Sequence, residues 1–180
     1  MSEVSKSVKE NFSNTLLEAI GIQVLKNEAI VLPNADRTAE NDRLYLVGIG
    51  AYLPKQSQPQ QAIAQVPSSA ARFVLMHNPA SFAELPPGTA PIAVAGHTHG
   101  GQIRIPFLPE WSWMRFVEDR SSWSWISQIR GDIVRVSGWI PGYGNADNRL
   151  YINRGIGFSN LPVRFNCRPE LTVFTLQAKT

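Results

Sequence analysis

Three short apolar runs, Leu44 to Ile49, Phe73 to Met76 and Ile92 to Ala95, constrain this chain more than anything else in it. Each has the length and composition of a buried strand. The segments between them have a different texture. Gln58 to Val66 reads as a short helix, and Ser81 to Leu85 as a helical turn. Strands that alternate with helices suit a layered α/β domain. Ahead of them, Val4, Val8, Phe12, Leu16 and Ile20 recur every fourth residue, with Leu17 widening the stripe. That spacing predicts an amphipathic helix stopped at Gly21. Ile22 to Leu25 and Glu28 to Leu32 have strand composition, and Pro33 to Asp42 is loop-like.

Beyond residue 101 the order changes. Gln102 to Ile105, Ile133 to Ile140, Arg149 to Asn153, Pro162 to Asn166 and Leu171 to Leu176 all read as strands. The expected fold is therefore a mixed α/β layered domain over residues 1–180, not a pure β-sandwich. Within it, residues 107–131 form a tryptophan-rich insertion. It carries Trp111, Trp113, Trp123 and Trp125, with Arg115, Arg120 and Arg130 between them. Tryptophan and arginine together suit a membrane or lipid interface. They also suit base stacking, and a hydrophobic cap packed on the domain has the same composition. No internal repeat or low-complexity tract interrupts the chain.

Composition excludes several classes. Hydrophobic residues make up 43% and charged residues 17%, enough apolar material for a core and too little charge for a disordered chain. The net charge of +3 is too small to demand nucleic acid. The single cysteine, Cys167, rules out an internal disulfide and any CxxC pair, and its surroundings suggest a half-buried strand thiol. No apolar run approaches the roughly 18 residues of a membrane span, and the polar start is no signal peptide. Taken alone the chain reads as cytoplasmic. If an N-terminal segment is lacking, the expectation becomes membrane association.

All three histidines of the chain lie just after apolar runs. His77 follows Phe73 to Met76, and His97 and His99 follow Ile92 to Gly96. Residues past the carboxyl ends of strands in a layered sheet point into the ligand crevice, and imidazole is the commonest metal ligand. His97 and His99 share a side of an extended backbone, or splay toward two neighbouring ions on a tight turn. Gly96, Gly100 and Gly101 let the backbone bend and an anion approach. Three imidazoles suffice for one zinc ion with an open position. Ordinary hydrogen-bonded histidines beside a turn would look the same in isolation.

These residues resemble a known family. Gly96-His97-Thr98-His99-Gly100-Gly101-Gln102 is similar to the GHTHGGQ signature of calcineurin-like metallophosphoesterases, and His77-Asn78-Pro79 to their strand-end histidine. Leu150 to Gly157 and Leu161 to Glu170 resemble the family's later strand-and-turn segments, so the likeness runs from about residue 8 to the end. The resemblance is to the bacterial branch that includes membrane-associated phosphoesterases and a UDP-diacylglucosamine pyrophosphohydrolase. It implies an αββα sandwich and a two-metal centre for phosphoester hydrolysis, on phosphomonoesters, phosphodiesters or lipid pyrophosphates. It implies that His77 and His97 bind the second metal and His99 the first. Manganese, iron and zinc all suit such ligands.

The resemblance also implies a deficit. The family's DxH, GDxxD and GNHD motifs do not occur, and no histidine precedes His77. The chain thus resembles the C-terminal half of such an enzyme, inactive alone, with a complementing N-terminal half as an implied partner. No catalytic residue beyond the ligands can be assigned, and Arg154, Arg164 and Arg168 are open to a phosphate contact or a structural role. Two alternatives remain: a non-catalytic remnant or lipid-binding module, and a mononuclear three-histidine hydrolase.

Overall fold

In the chain's computed structural model, residues 14–32, 43–52, 56–112, 137–159 and 161–177 are described. The strands, numbered in chain order, are β1 (Glu28–Val31), β2 (Leu44–Gly48), β3 (Ala71–Leu75), β4 (Ala93–Ala95), β5 (Arg104–Ile105), β6 (Leu108–Ser112), β7 (Gly138–Ile140) and β8 (Leu150–Ile152). Six of them build one mixed sheet in the order β1-β2-β3-β4-β8-β7, while β5 and β6 pair as a separate ribbon. The three apolar runs become β2, β3 and β4, and they pair in parallel. β8 continues the parallel set, and β1 and β7 close the two edges in antiparallel fashion. The mixed α/β architecture is the expected one. Among the described residues, no second large sheet accompanies the first.

One face of the sheet is the core. The registers put Tyr45 and Val47 beside Arg72 and Val74, then Ala93 and Ala95, Leu150 and Ile152, and Ile140 at the far edge. All are buried. Over them lie α1 (Pro59–Ile63), with Ala62 and Ile63 turned inward, and a 3-10 helix at Pro79–Glu84 that contributes Phe82. Phe82 is fully buried and stacks on Tyr143 at 5.9 Å between ring centroids. Arg72 is the exception on this face. Its guanidinium donates to the carbonyls of Ala70, Pro67 and Ser68 at 3.2, 2.7 and 2.8 Å, so its charge is covered by the turn that enters β3.

Asn27 joins three segments that the sequence does not connect. Its Oδ1 accepts from the amides of Gly50 and Gln58, and its Nδ2 donates to the carbonyl of Gln56. The exit of β2 and the entry of α1 are thereby tied to the start of β1. The side chain is buried, so each of these bonds replaces one that water would otherwise make.

Several expected elements differ. Residues 14–19 are helical and end at Gly21 with φ of 82°, as the stop signal implies, while Val4, Val8 and Phe12 lie outside the described residues. Ile22 to Leu25 is not a strand: Leu25 closes over Gly48, and the run crosses β2 instead of extending the sheet edge. Gln102 to Ile105 shrinks to Arg104–Ile105, because Gln102 has φ of 55° and leaves the extended region. Pro162 to Asn166 keeps a single bridge, Phe165 to Ile103. Leu171 to Leu176 joins no ladder. Cys167 is 2% exposed and belongs to no strand. Of the insertion, residues 113–131 lie outside the described residues, with Trp113, Trp123, Trp125, Arg115, Arg120 and Arg130, and so do the loop 33–42 and the start of the run from Ile133. No helix among the described residues is long and apolar enough to cross a membrane.

Phe82→Ala empties the largest fully buried side chain from between the sheet and Tyr143. It is expected to cost about 3–5 kcal/mol of stability in urea unfolding. A cost below about 1 kcal/mol would mean that this face is not the core.

Candidate metal centre

The two histidine-bearing loops are joined before any side chain is considered. The amide of Met76 donates to the carbonyl of Val94, and the amide of Gly96 donates to the carbonyl of His77, both at 3.0 Å. The β3–β4 pairing therefore runs on into the loops and sets His77 beside His97. Next to His77, Asn78 accepts from the amide of Ala80 at 2.9 Å and caps the 3-10 helix that Pro79 opens. The Asn-Pro pair thus ends the strand and starts the next turn directly after the histidine.

After β4 the backbone is strained. His97, His99 and Gln102 have φ of 69°, 49° and 55°, all left-handed and all at residues other than glycine. Such positions cost of order 1–3 kcal/mol each and gather at functional sites. Here they wind the chain tightly. Thr98 Oγ1 accepts from the amide of Gly100, and the amides of Gly101 and Gln102 donate to the carbonyls of Thr98 and His99. Gly100, at φ of 61°, has to be glycine for a second reason: a side chain there would collide with Arg154 and Cys167.

His77 and His97 meet. Nδ1 of His97 lies 3.1 Å from Nε2 of His77, and the rings stand edge to face at 4.9 Å between centroids. Burial, followed by the nearby charges of His77 and His99, pushes the His97 imidazole down to about 4. Burial and then His99 also lower that of His77. Both rings are neutral at pH 7, the form that ligates metals. Two nitrogens sharing one first-row dication stand about 3.0–3.4 Å apart, given bonds near 2.0–2.1 Å and ordinary ligand angles. The pair fits that separation.

His99 is placed differently. Its Nδ1 is buried and has no hydrogen-bond partner, a condition that calls for an explanation in a folded chain. Among the described residues, no three His, Cys, Asp or Glu side chains converge closely enough to hold an ion. The fold brings His77 and His97 into contact, with His99 near enough for its charge to act on both.

A clamp holds the strained loop from the other side. Arg164 donates to the carbonyls of His99, Arg154 and Gly157 at 3.1, 2.8 and 2.7 Å. The thiol of Cys167 donates to the carbonyls of His99 and Gly100 at 3.4 and 3.3 Å. Arg154 is paired through Nε with Glu170 at 2.6 Å. Burial alone would raise the Glu170 carboxyl, but hydrogen bonds from Thr172, Tyr151 and Arg154 outweigh it and hold the group down at about 2. Gln102 is buried and satisfied, with Nε2 donating to the carbonyls of Ser159 and Leu161 and Oε1 accepting from the amide of Ser159. Of the three arginines open to a phosphate contact, Arg154 and Arg164 are engaged in the scaffold, and Arg168 is exposed. The motif containing Arg164 and Glu170 is visible in the sequence, but its contact with His99 spans 65 residues and has no local signal.

Two strand-end histidines thus stand side by side at one end of a mixed α/β sheet. No family model matches the chain, and no solved structure does. Curated relatives do match. The chain is 32% identical over 169 residues to phosphodiesterase YaeI of Escherichia coli, covering 93% of this chain and 52% of the relative. It is 24% identical over 173 residues to the uncharacterized metallophosphoesterase YkuE of Bacillus subtilis, covering 91% and 50%. To UDP-2,3-diacylglucosamine pyrophosphatase LpxG of Chlamydia trachomatis it is 24% identical over 170 residues, covering 92% and 48%. These relatives support the calcineurin-like metallophosphoesterase superfamily for this chain, which spans about half the length of the curated relatives it matches.

Two outcomes follow from this geometry. In metal-free protein, the His97 imidazole should titrate near pH 4 by NMR, against about 6.5 in the unfolded chain. Because the folded value is the lower one, the unfolded state takes up the proton first. The stabilising share of this group is complete above about pH 6.5 and is lost as pH falls toward 4. A midpoint near 6.5 in the folded protein would contradict the burial of the pair. Arg164→Ala should cost about 1.5–3 kcal/mol, the range for hydrogen bonds to a charged group, and should speed amide exchange at Gly101 and Gln102. Unchanged exchange there would show that the clamp does not hold the loop.

Proposed function

We propose that this chain carries the histidine side of a metal-dependent phosphoester-hydrolysing centre. In this reading His77 and His97 share one divalent ion, and His99 faces a neighbouring one. The carboxylates that would hold two ions about 3.5–4 Å apart come from polypeptide outside this chain. The observation that carries the reading is the pairing of His77 Nε2 with His97 Nδ1 at 3.1 Å, both imidazoles held neutral. The unpartnered Nδ1 of His99 supports it, since a buried imidazole nitrogen without a partner is what a further ligand or ion would explain.

The ions, when bound, supply Lewis-acid stabilisation of the charge that develops on a phosphoryl group. The chain's own contribution is positional. The β3–β4 pairing fixes His77 and His97 relative to each other. Arg164 and Cys167 keep His99 in its left-handed conformation, and Gly100 lets the turn pack closely against Arg154 and Cys167. The substrate class is a phosphodiester or a lipid pyrophosphate. This follows the names of the relatives, one a phosphodiesterase and another a pyrophosphatase acting on a diacylated sugar nucleotide. The tryptophan-rich insertion is assigned to contact with such a lipid or with the membrane that presents it. Manganese, iron and zinc all fit imidazole donors.

The isolated chain binds metal weakly and does not turn over, because two imidazoles alone leave a dication short of ligands and charge. Manganese titration of the purified chain, with hydrolysis of an aryl phosphodiester followed in parallel, tests this. His97→Ala should weaken metal binding by about tenfold or more, the scale of loss known for disrupted metal sites, with no turnover in either protein. Stoichiometric metal together with turnover that His97→Ala abolishes would overturn the claim of inactivity. Metal uptake indifferent to both His77→Ala and His97→Ala would overturn the ligand assignment.

A further inference from the structure

The ribbon of β5 and β6 turns at Pro106 and Phe107. Ile105 and Leu108 are its last paired residues, so Phe107 takes the second position of the turn. Its φ is 66°. After a proline, that position ordinarily holds glycine or asparagine. An aromatic residue there is strained, and this one is 100% exposed. Neither the turn nor the core gains from the ring. Glycine would suit the backbone better and leave less apolar surface in water.

Phe107 belongs to a larger apolar surface. The amide of Arg104 donates to the carbonyl of Phe165, and the amide of Phe165 donates to the carbonyl of Gln102, at 3.0 and 3.1 Å. Segment 163–166 therefore lies along β5. From it Arg164 reaches the carbonyl of Gly157 and draws in the loop 155–159. Exposed on these pieces are Ile105, Phe107, Ile156, Phe158, Val163 and Phe165, with Ile156 at 76% and Phe158 at 58% exposure. Large apolar side chains gathered in water mark an interaction surface. Its border is basic. Residues 102–109 and 155–169 contain Arg104, Arg164 and Arg168 and no Asp or Glu. Arg104 bonds the carbonyl of Gly100 and the hydroxyl of Ser137, and Arg164 bonds carbonyls, so among the described residues no carboxylate cancels either charge. Arg168 is exposed.

We infer that the β5–β6 tip, with the loop 155–159 and segment 163–166 beside it, docks this chain on a lipid bilayer that carries anionic headgroups. Phe107 and Phe158 enter the interface, and Arg168 meets the headgroup phosphates. Charge selects this occupant. A second copy of this chain would set the same arginines face to face, with no acid to offset them, whereas anionic lipid supplies both an apolar layer and the missing negative charge. The surface is also tied to the histidine turn. Gln102 holds Ser159 and Leu161, and Arg164 bonds the carbonyls of both His99 and Gly157. A docked tip therefore keeps that turn close to the headgroup plane, where a lipid phosphoester is presented. This rests on the reading of the centre as one that acts on a lipid, and it draws on residues other than the tryptophans of the insertion.

The test is cosedimentation of the purified chain with vesicles in the presence of EDTA, with a lipid-free sedimentation run beside it. One set of vesicles is phosphatidylcholine alone, and the other is equal parts phosphatidylcholine and phosphatidylglycerol. The chain should bind the second set, and less tightly as salt is raised. Phe107→Asn keeps a residue that tolerates the left-handed turn and removes the ring, while Phe158→Ser removes the other ring. Each should weaken binding by about tenfold, the scale of one buried aromatic side chain. Arg168→Gln should weaken it by about fivefold on the anionic vesicles and not on phosphatidylcholine. These side chains are exposed, so urea unfolding of the variants should match that of the parent chain and show that the fold is intact. Absence of vesicle binding, or binding indifferent to both Phe107→Asn and Phe158→Ser, would overturn the inference. So would binding lost only when Trp123 and Trp125 are changed to alanine, which assigns the contact to the insertion. Lipid-free self-association that Phe107→Asn abolishes would give the surface to a second copy and overturn it too. The chelator keeps metal out of the vesicle readout, and manganese titration of the same proteins separates the two proposals. Vesicle binding together with metal uptake indifferent to His77→Ala and His97→Ala removes the metal assignment and leaves the docking surface. Metal uptake weakened by His97→Ala without vesicle binding does the reverse.

Discussion

The pairing of β3 with β4 carries the site. Two backbone bonds, from Met76 to Val94 and from Gly96 to His77, extend a short parallel ladder past the ends of both strands. Everything that makes the histidines notable depends on that extension. It brings two imidazoles, twenty residues apart in sequence, to 3.1 Å, and it delivers the chain into a turn too tight for ordinary backbone angles. The partial desolvation of His97, and its closeness to His77, follow from the same geometry.

Strain at His97, His99 and Gln102 needs an opposing hold, and the later part of the chain provides it. Arg164 gathers three carbonyls, Cys167 takes the carbonyls of His99 and Gly100 with its thiol, and Gln102 is satisfied by Ser159 and Leu161. Two arginines that sequence alone leaves open to a phosphate contact, and a thiol it reads as half-buried on a strand, are thus placed in support of the loop. Glu170 has a double part. It neutralises Arg154 beneath Gly100, and it fixes the point from which the unpaired segment 170–177 sets out across the open face of the sheet. The histidine loop and the segment 170–177 therefore share one anchor.

The strands β2, β3 and β4 were legible because each is an apolar run bounded by turn residues, and burial on a sheet demands that composition wherever it occurs. The histidines were legible as a group for a comparable reason: strand ends are where a layered sheet exposes ligands, and all three lie there. Local chemistry also foretold the helix stop at Gly21 and the helical turn after His77-Asn78-Pro79. These features depend on neighbours in sequence, so the sequence contains them.

Other features depend on neighbours in space. Ile22 to Leu25 and Leu171 to Leu176 have strand composition, yet a strand exists only where a partner presents a ladder, and composition says nothing about the partner. Asn27 and Arg164 each bind backbone from segments far along the chain, and no local pattern announces such a role. The contact of His77 with His97 depends on the β3–β4 backbone bonds that run on into both loops. The sequence by itself determined which residues could be buried, which could end a strand and which could bind a metal, because those are properties of side chains. Only the tertiary structure decided which of them meet, because contact is a property of the path the backbone takes.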